Sequence, residues 1–425
     1  VSAPYEAGRD FALALDEADP LREFREEFHV PKRGNGEEEI YFAGNSLGLL
    51  PRRTRRFVEN ELDKWERLAV RAHFSGPDPW MPYHELLASP AARLVGAHPS
   101  EVVTMNSLTV NLHLMLETFY RPTPDRFRIL IEDHAFPSDD HAVASHAASR
   151  GLDPRSAIVR VRPRQGSAIA VEHIAEILSR EGDSIALVLL PGVQYYTGQA
   201  FDVETLTRLA HERGCIAGFD LAHAAGNIPL ALHDWDVDFA VWCTYKYLNG
   251  GPGSVGGCFV HERHGGNPPL PRFAGWWGHD KKSRFEMRTG FRPIPGAEGW
   301  QLSNPPILSL AAIRASFEIF DAAGGIEPLR EKSIRLTGYL EWLLRREVGE
   351  SIEIFTPADP ARRGCQLSLR VKTGGSPGRT VFQRLETAGV TCDWREPDVI
   401  RVAPVPLYNR FAEVNRFVEI LRESL

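Results

Sequence analysis

Five cysteines in 425 residues are few, and their number is odd. Cys215, Cys243, Cys258, Cys365 and Cys392 fall mostly in apolar runs and at no spacing suited to a metal. That excludes a disulfide scaffold or a zinc ribbon and reads as buried reduced thiols in a cytoplasmic protein. A long hydrophobic run is equally absent: the longest, Ile185 to Val193, is far short of the ~20 residues a membrane helix requires. The first residues, with Glu6, Arg9 and Asp10, lack a signal-peptide core. Positive charge is not in excess either. A net charge of -7 and a pI near 6.1 leave no footprint for nucleic acid or an anionic membrane surface. No internal repeat or low-complexity segment appears.

What remains is an ordinary globular composition, 43% hydrophobic and 25% charged, in a chain long enough for about two or three domains. Residues 1–50 read as an N-terminal arm that forms part of a small domain, with an amphipathic helix around Phe11 to Phe28. Residues 51–306 read as a large domain and 307–425 as a C-terminal small α+β domain. From Pro51 a helix is expected with Phe57, Val58, Leu62, Trp65 and Leu68 on one face. Between about 100 and 262, seven short apolar runs alternate with helix-period segments. They are Val102–Met105, Arg128–Ile131, Ala157–Val159, Ile185–Leu190, Cys215–Phe219, Phe239–Cys243 and Gly257–Val260. This pattern predicts an α/β fold with a seven-stranded, mainly parallel sheet flanked by helices. Ligands of such sheets sit at the carboxyl ends of the strands.

Two of those ends carry chemistry. The run Phe239–Cys243 leads into Thr244, Tyr245, Lys246, Tyr247 and a glycine-rich turn, and the run Cys215–Phe219 ends in Asp220. A lysine held between aromatic rings is suited to a Schiff base, and an aspartate is suited to a pyridinium nitrogen. An acid closing a parallel strand is common, however, and a lysine after a strand can be a solvated turn residue. Other stretches fit the same chemistry. Asn106 to Asn111 joins a strand to a helix start that can hold a phosphate, or can simply be a Ser/Thr cap. Phe136 can stack on a pyridine face; a metal site from His134, Asp139, Asp140 and His141 is the rival reading of that loop. His223 packs on the cofactor or finishes a turn. Arg401, in an apolar and proline-bounded context, suits a carboxylate through its planar fork; its alternative is a surface arginine at a strand end.

Taken in order along the chain, these stretches resemble the kynureninases, fold-type-I pyridoxal-phosphate enzymes of the aspartate-aminotransferase superfamily. The likeness runs through Gly44 to Leu49, Leu108 to His113, Phe136 to Asp139, Tyr196 to Gln199, Gly218 to Ala224, Tyr245 to Asn249, Ser303 to Leu308 and Ile400 to Asn409. The resemblance implies pyridoxal 5′-phosphate as cofactor, with Lys246 as the Schiff-base lysine, Asp220 on the ring nitrogen and Phe136 stacked. Leu108, Thr109, Pro137, Ser138, Asp139, His223, Tyr245, Trp276 and Asn304 complete the cofactor site. Trp276 and Asn304 come from the partner subunit of a homodimer. Arg401, His73, Asn304 and Ser46 are implied at the substrate. Pro191 departs from the pattern, because eukaryotic members carry serine there.

The expected reaction is hydrolysis of the Cβ–Cγ bond of kynurenine, with the 3-hydroxylated substrate favoured, to an anthranilate and L-alanine. In it Lys246 moves the Cα proton and Tyr245 protonates Cβ; the base that activates water has no sequence signature. The nearest rival is another reaction on the same fold, a cysteine desulfurase, lyase or aminotransferase. Desulfurases place a histidine before the lysine and a reactive cysteine on a mobile loop, whereas Tyr245 precedes Lys246 here. A cofactor-free nucleotide module using Asn249 to Gly257 is more distant, since the G-x-x-x-x-G-K-[ST] order is missing.

Overall fold

The structure, a computed structural model, describes residues 5–266, 270–372 and 377–425. Seven strands form the central sheet: β1 (Val102–Met105), β2 (Arg128–Glu132), β3 (Ile158–Val161), β4 (Ile185–Pro191), β5 (Ile216–Asp220), β6 (Phe239–Trp242) and β7 (Gly256–Val260). Their spatial order is β1-β7-β6-β5-β4-β2-β3. Strands β2 to β6 pair in parallel, and β7 runs antiparallel to both β1 and β6. The exception has a topological cause. The thirteen residues 243–255 between β6 and β7 hold no helix of the kind that usually carries a parallel crossover, and the chain returns antiparallel. Strand ends differ slightly from expectation. β3 starts at Ile158 because Asp153 caps a helical turn over Pro154–Ala157, and β2 and β4 each run one residue further, to Glu132 and Pro191. Helices on both faces explain why the strands are continuous apolar runs rather than alternating ones.

A second core forms around a four-stranded antiparallel sheet of β8 (Ile352–Ile354), β9 (Leu367–Val371), β10 (Asp393–Arg395) and β11 (Val399–Val402), in the order β8-β9-β11-β10. The N-terminal arm is stitched onto this unit. Ile40–Tyr41 pairs in parallel with Val390–Thr391, and Ala12 of helix α1 (Arg9–Glu17), Ile40 and Phe42 are buried in its core. The remaining helices that matter here are α2 (Thr54–Leu68), α3 (Leu108–Phe119), α4 (Pro137–Ser149), α5 (Ile307–Ala322), α6 (Ile326–Glu347) and α7 (Phe411–Ser424). The two cores meet within α6: Leu329 belongs to the first, Leu336 and Leu340 to the second. Helix α5 packs against α2 and shares the first core, so packing places residues 307–329 with the large domain rather than beyond the expected boundary at 306.

Helix α2 forms where the spacing places it. Its apolar stripe is split: Phe57 and Val58 are half-buried against the first core, while Leu62 and Trp65 are 43% and 59% exposed. The buried face carries an ion pair instead. Lys64 Nζ lies 2.7 Å from Glu61 Oε2 and donates to the Asp78 carbonyl at 2.9 Å, and the Trp80 indole N–H donates to Glu61 at 2.7 Å. Exposed Val70, Phe74, Trp276, Phe285, Met287 and Leu308 add to the apolar surface of this chain.

Candidate active site

The carboxyl ends of β2, β4, β5 and β6 open into one cavity. Leu108 and Thr109 enter it from the first turn of α3, Phe136, Ser138 and Asp139 from the start of α4, Asp220 from the last position of β5, and Ala222 and His223 from the turn that follows. Tyr245 and Lys246 follow β6, and Glu132, Pro191, Val193 and Tyr195 complete the lining. Lys246 Nζ donates to His223 Nε2 at 2.9 Å and lies 5.8 Å from the centre of the Phe136 ring. The lysine turn is held from the other side by the arm. Gly48 N–H donates to the Tyr245 carbonyl at 2.8 Å, and a Cβ on Gly48 would lie 2.3 Å from the Lys246 carbonyl oxygen. Only glycine permits that approach.

The electrostatics divide the acids. Burial pushes Asp139 well up, and the neighbouring Asp220 charge pushes it further, so Asp139 is the one of the two that favours a proton. Burial raises Asp220 as well, but the Ala222 N–H, 2.7 Å from Oδ1, the Lys246 ammonium and the Asp139 proton all oppose it. The negative charge therefore rests on Asp220. His223 is held neutral, well below its ordinary value, by burial and then by the positive charges of Lys246, Arg401 and Arg395.

The donor set fits a phosphorylated pyridine aldehyde. Neither α3 nor α4 has a side-chain cap, and Thr109 Oγ1 and Ser138 Oγ meet at 2.7 Å where the two helix starts converge. First-turn amides, two hydroxyls and two helix dipoles make a dianion site. His223 Nδ1 and Asp139 Oδ1 are buried without partners, which is how groups awaiting a polar ligand look.

Comparison with known proteins decides the family. A family model described as the kynureninase C-terminal domain matches residues 329–421. A kynureninase of Koribacter versatilis is 56% identical over 419 residues, 98% of each chain, and one of Xanthomonas euvesicatoria is 57% identical over 412 residues, 97% of each chain. The chain belongs to the kynureninase family. In fold it is similar to a C-DES mutant with glycine covalently linked to its PLP cofactor (TM-score 0.78, 18% identity, covering 94% of this chain and 99% of the other). It is also similar to a cysteine desulfurase of Thermococcus onnurineus (TM-score 0.75, 16% identity, 94% and 97% covered).

Several residues that the kynureninase resemblance assigns to the site lie outside this cavity. Trp276 is 42% exposed and donates to the Arg284 carbonyl, and Asn304 is exposed. His73 is half-buried, edge-on to Trp80, in a separate hollow that it shares with residues 306–309. Ser46 sits in the arm loop, its N–H on the Ala43 carbonyl. Arg401 is fully buried behind Tyr195: Nη1 donates to the Tyr195 carbonyl at 2.7 Å and Nε to Asp393 at 2.9 Å. The rival metal set is not gathered. His134 is exposed beside Asp133, Asp140 pairs with Arg160, and Asp139 turns into the cavity. The glycine turn is also committed, since Val255 N–H donates to Ser309 and Gly250 N–H to Thr244.

Sequence reading missed Glu132 and Tyr195 in the kynureninase cavity. Glu132 had a usable signal, the same as Asp220: an acid at the end of an apolar parallel strand.

Proposed function

We propose that this enzyme hydrolyses the Cβ–Cγ bond of kynurenine-type amino acids with pyridoxal 5′-phosphate, releasing an anthranilate and L-alanine. The observation that carries the reading is one cavity holding Lys246, a charged Asp220 and two uncapped helix starts. When bound, the cofactor supplies an electron sink for negative charge at the substrate's Cα. The residues supply the rest. Asp220 fixes a proton on the ring nitrogen, and Phe136 stacks. The Thr109 and Ser138 hydroxyls hold the phosphate with the amides of α3 and α4. Lys246 carries the Cα proton, and neutral His223 accepts from its ammonium and holds it in place. The Tyr245 phenol is kept protonated, chiefly by burial, which suits a donor to Cβ.

Arg401 is our candidate for the substrate α-carboxylate. Its Nη2 lies 2.8 Å from Asp393 Oδ1 but makes no aligned hydrogen bond, so one arm of the fork is left for an anion. Trp276, Asn304, His73 and the exposed apolar residues around them fit a homodimer in which a second copy covers that surface and completes each site. With His73 and Asn304 beside the substrate ring, a 3-hydroxyl would pair polar groups otherwise left without partners, and we propose that the 3-hydroxylated substrate is preferred. The five cysteines are free and buried, which supports a reducing, cytoplasmic setting and offers no exposed thiol for desulfuration. The test is a panel of kynurenine and ring-substituted analogues, read by anthranilate fluorescence and alanine release. Failure to release alanine from any of them would overturn the reading.

A further inference from the structure

Glu132 closes β2 much as Asp220 closes β5, yet nothing in the chemistry above uses it. It is 2% exposed and forms part of the wall between the Lys246 cavity and the cleft between the domains. An ionised carboxylate in such a place needs a cation or several donors. Among the described residues it has neither: Oε2 is without a partner, and Oε1 meets only the Gln194 amide, at 3.5 Å. That amide is held back, because Gln194 Oε1 accepts the Tyr196 and Thr197 N–H groups at 2.7 Å each. Nearby cations are engaged elsewhere. Arg162 lies 3.1 Å from Asp133, Arg370 pairs with Asp398 and Glu353, and Lys246 donates to His223. The groups facing Glu132 are otherwise acidic or neutral: Asp139 from α4, Asp220 from β5, Tyr195, and Asp133 next to it in the chain. Burial, with repulsion from Asp220 and Asp133 and against a weak Gln194 bond, pushes its carboxyl well up.

We infer that Glu132 is a neutral hydrogen-bond donor built into the cavity wall, a positioning residue whose O–H serves the unpartnered Asp139 Oδ1 through one water. Asp139 in turn donates to Asp220. The three carboxyls then carry two protons and one negative charge, and the charge stays on Asp220 with its free lone pair toward the ligand. Loss of the Glu132 proton at alkaline pH would place a second negative charge beside the first. This role rests on the pyridoxal-phosphate reading; the protonation of Glu132 does not.

The experiment compares the wild-type holoenzyme with Glu132→Gln and Glu132→Ala. Infrared difference spectra of wild type against Glu132→Gln at neutral pH are expected to show a carboxylic-acid C=O band that the variant loses. The absorbance of bound cofactor is expected to titrate on the alkaline side in wild type and to lose that transition in Glu132→Gln. Glu132→Ala is expected to lower kcat on the order of tenfold, with Glu132→Gln recovering most of the loss. A carboxylate band in place of the acid band, or an unchanged alkaline transition in Glu132→Gln, overturns the inference. Wild-type protein that stays colourless with pyridoxal phosphate overturns the cofactor reading and this role with it, while the infrared band, readable without cofactor, still reports the proton.

Discussion

The cavity around Lys246 and the apolar face around Trp65 and Trp276 are built on opposite terms. The cavity is closed by strand ends and helix starts of one chain, and its polar groups mostly find each other: lysine on histidine, acid on acid, hydroxyl on hydroxyl. The face inverts the usual order of a helix, with Trp65 outward and the Glu61–Lys64 pair inward. A single chain therefore gathers the charged groups of its site and leaves part of its apolar surface exposed. In our reading the first region binds the cofactor and the second recruits a copy that finishes the substrate pocket.

The largest expected break falls in the cavity. Lys246→Ala should cut turnover by at least about 10³-fold and remove the bound-cofactor absorbance, while size-exclusion profiles stay unchanged. A dimer lost in this variant would show that the two regions are not separable. Next comes the face: Trp65→Ala should weaken dimerisation by about 2 kcal/mol, roughly 30-fold in dissociation constant, measured by analytical ultracentrifugation, and activity should fall with dilution.

Glu298 gives a pH test near the same face. Burial opposes its charge, but His84 and Lys281 hydrogen bonds hold it at about 2 in the folded protein against an ordinary 4.5. Lys281 Nζ is 2.7 Å away. Because the folded value is the lower one, its stabilisation is present above about pH 4.5 and is lost as pH falls toward 2. Glu298→Gln should remove on the order of 2 kcal/mol of that acid sensitivity in denaturant titrations at pH 3 and pH 7. The smallest effect is one of preference. His73→Ala should lower the ratio of kcat/KM for 3-hydroxykynurenine over kynurenine by about tenfold, and an unchanged ratio would place the ring away from this face.

The two regions were also unequally legible in the sequence. Strand ends are local signals, so Asp220, Lys246 and the Phe136 loop could be placed on one edge of a parallel sheet before any coordinates. The polarity of β7 follows from the helix-free connection 243–255, and the domain crossover inside α6 depends on packing; neither is recorded by periodicity. The α2 stripe shows the same limit: its spacing marks an apolar face correctly but does not say whether that face meets the chain's own core or another molecule. Glu132 lies one residue beyond the apolar run Arg128–Ile131, so the run alone does not mark it.

Gly48 ties these levels together. The arm that bears it is woven into the small domain through Ile40–Tyr41, while its backbone rests on the carbonyl of the reactive lysine. Arg401 belongs to that same small domain. In our reading, a shift of the small domain toward an incoming amino acid would thus be felt at the amine as well as at the guanidinium, coupling the proton at Cα to the grip on the neighbouring carboxylate. Gly48→Ala, which leaves the arm's buried Ile40 and Phe42 in place, should slacken catalysis more than it lowers stability.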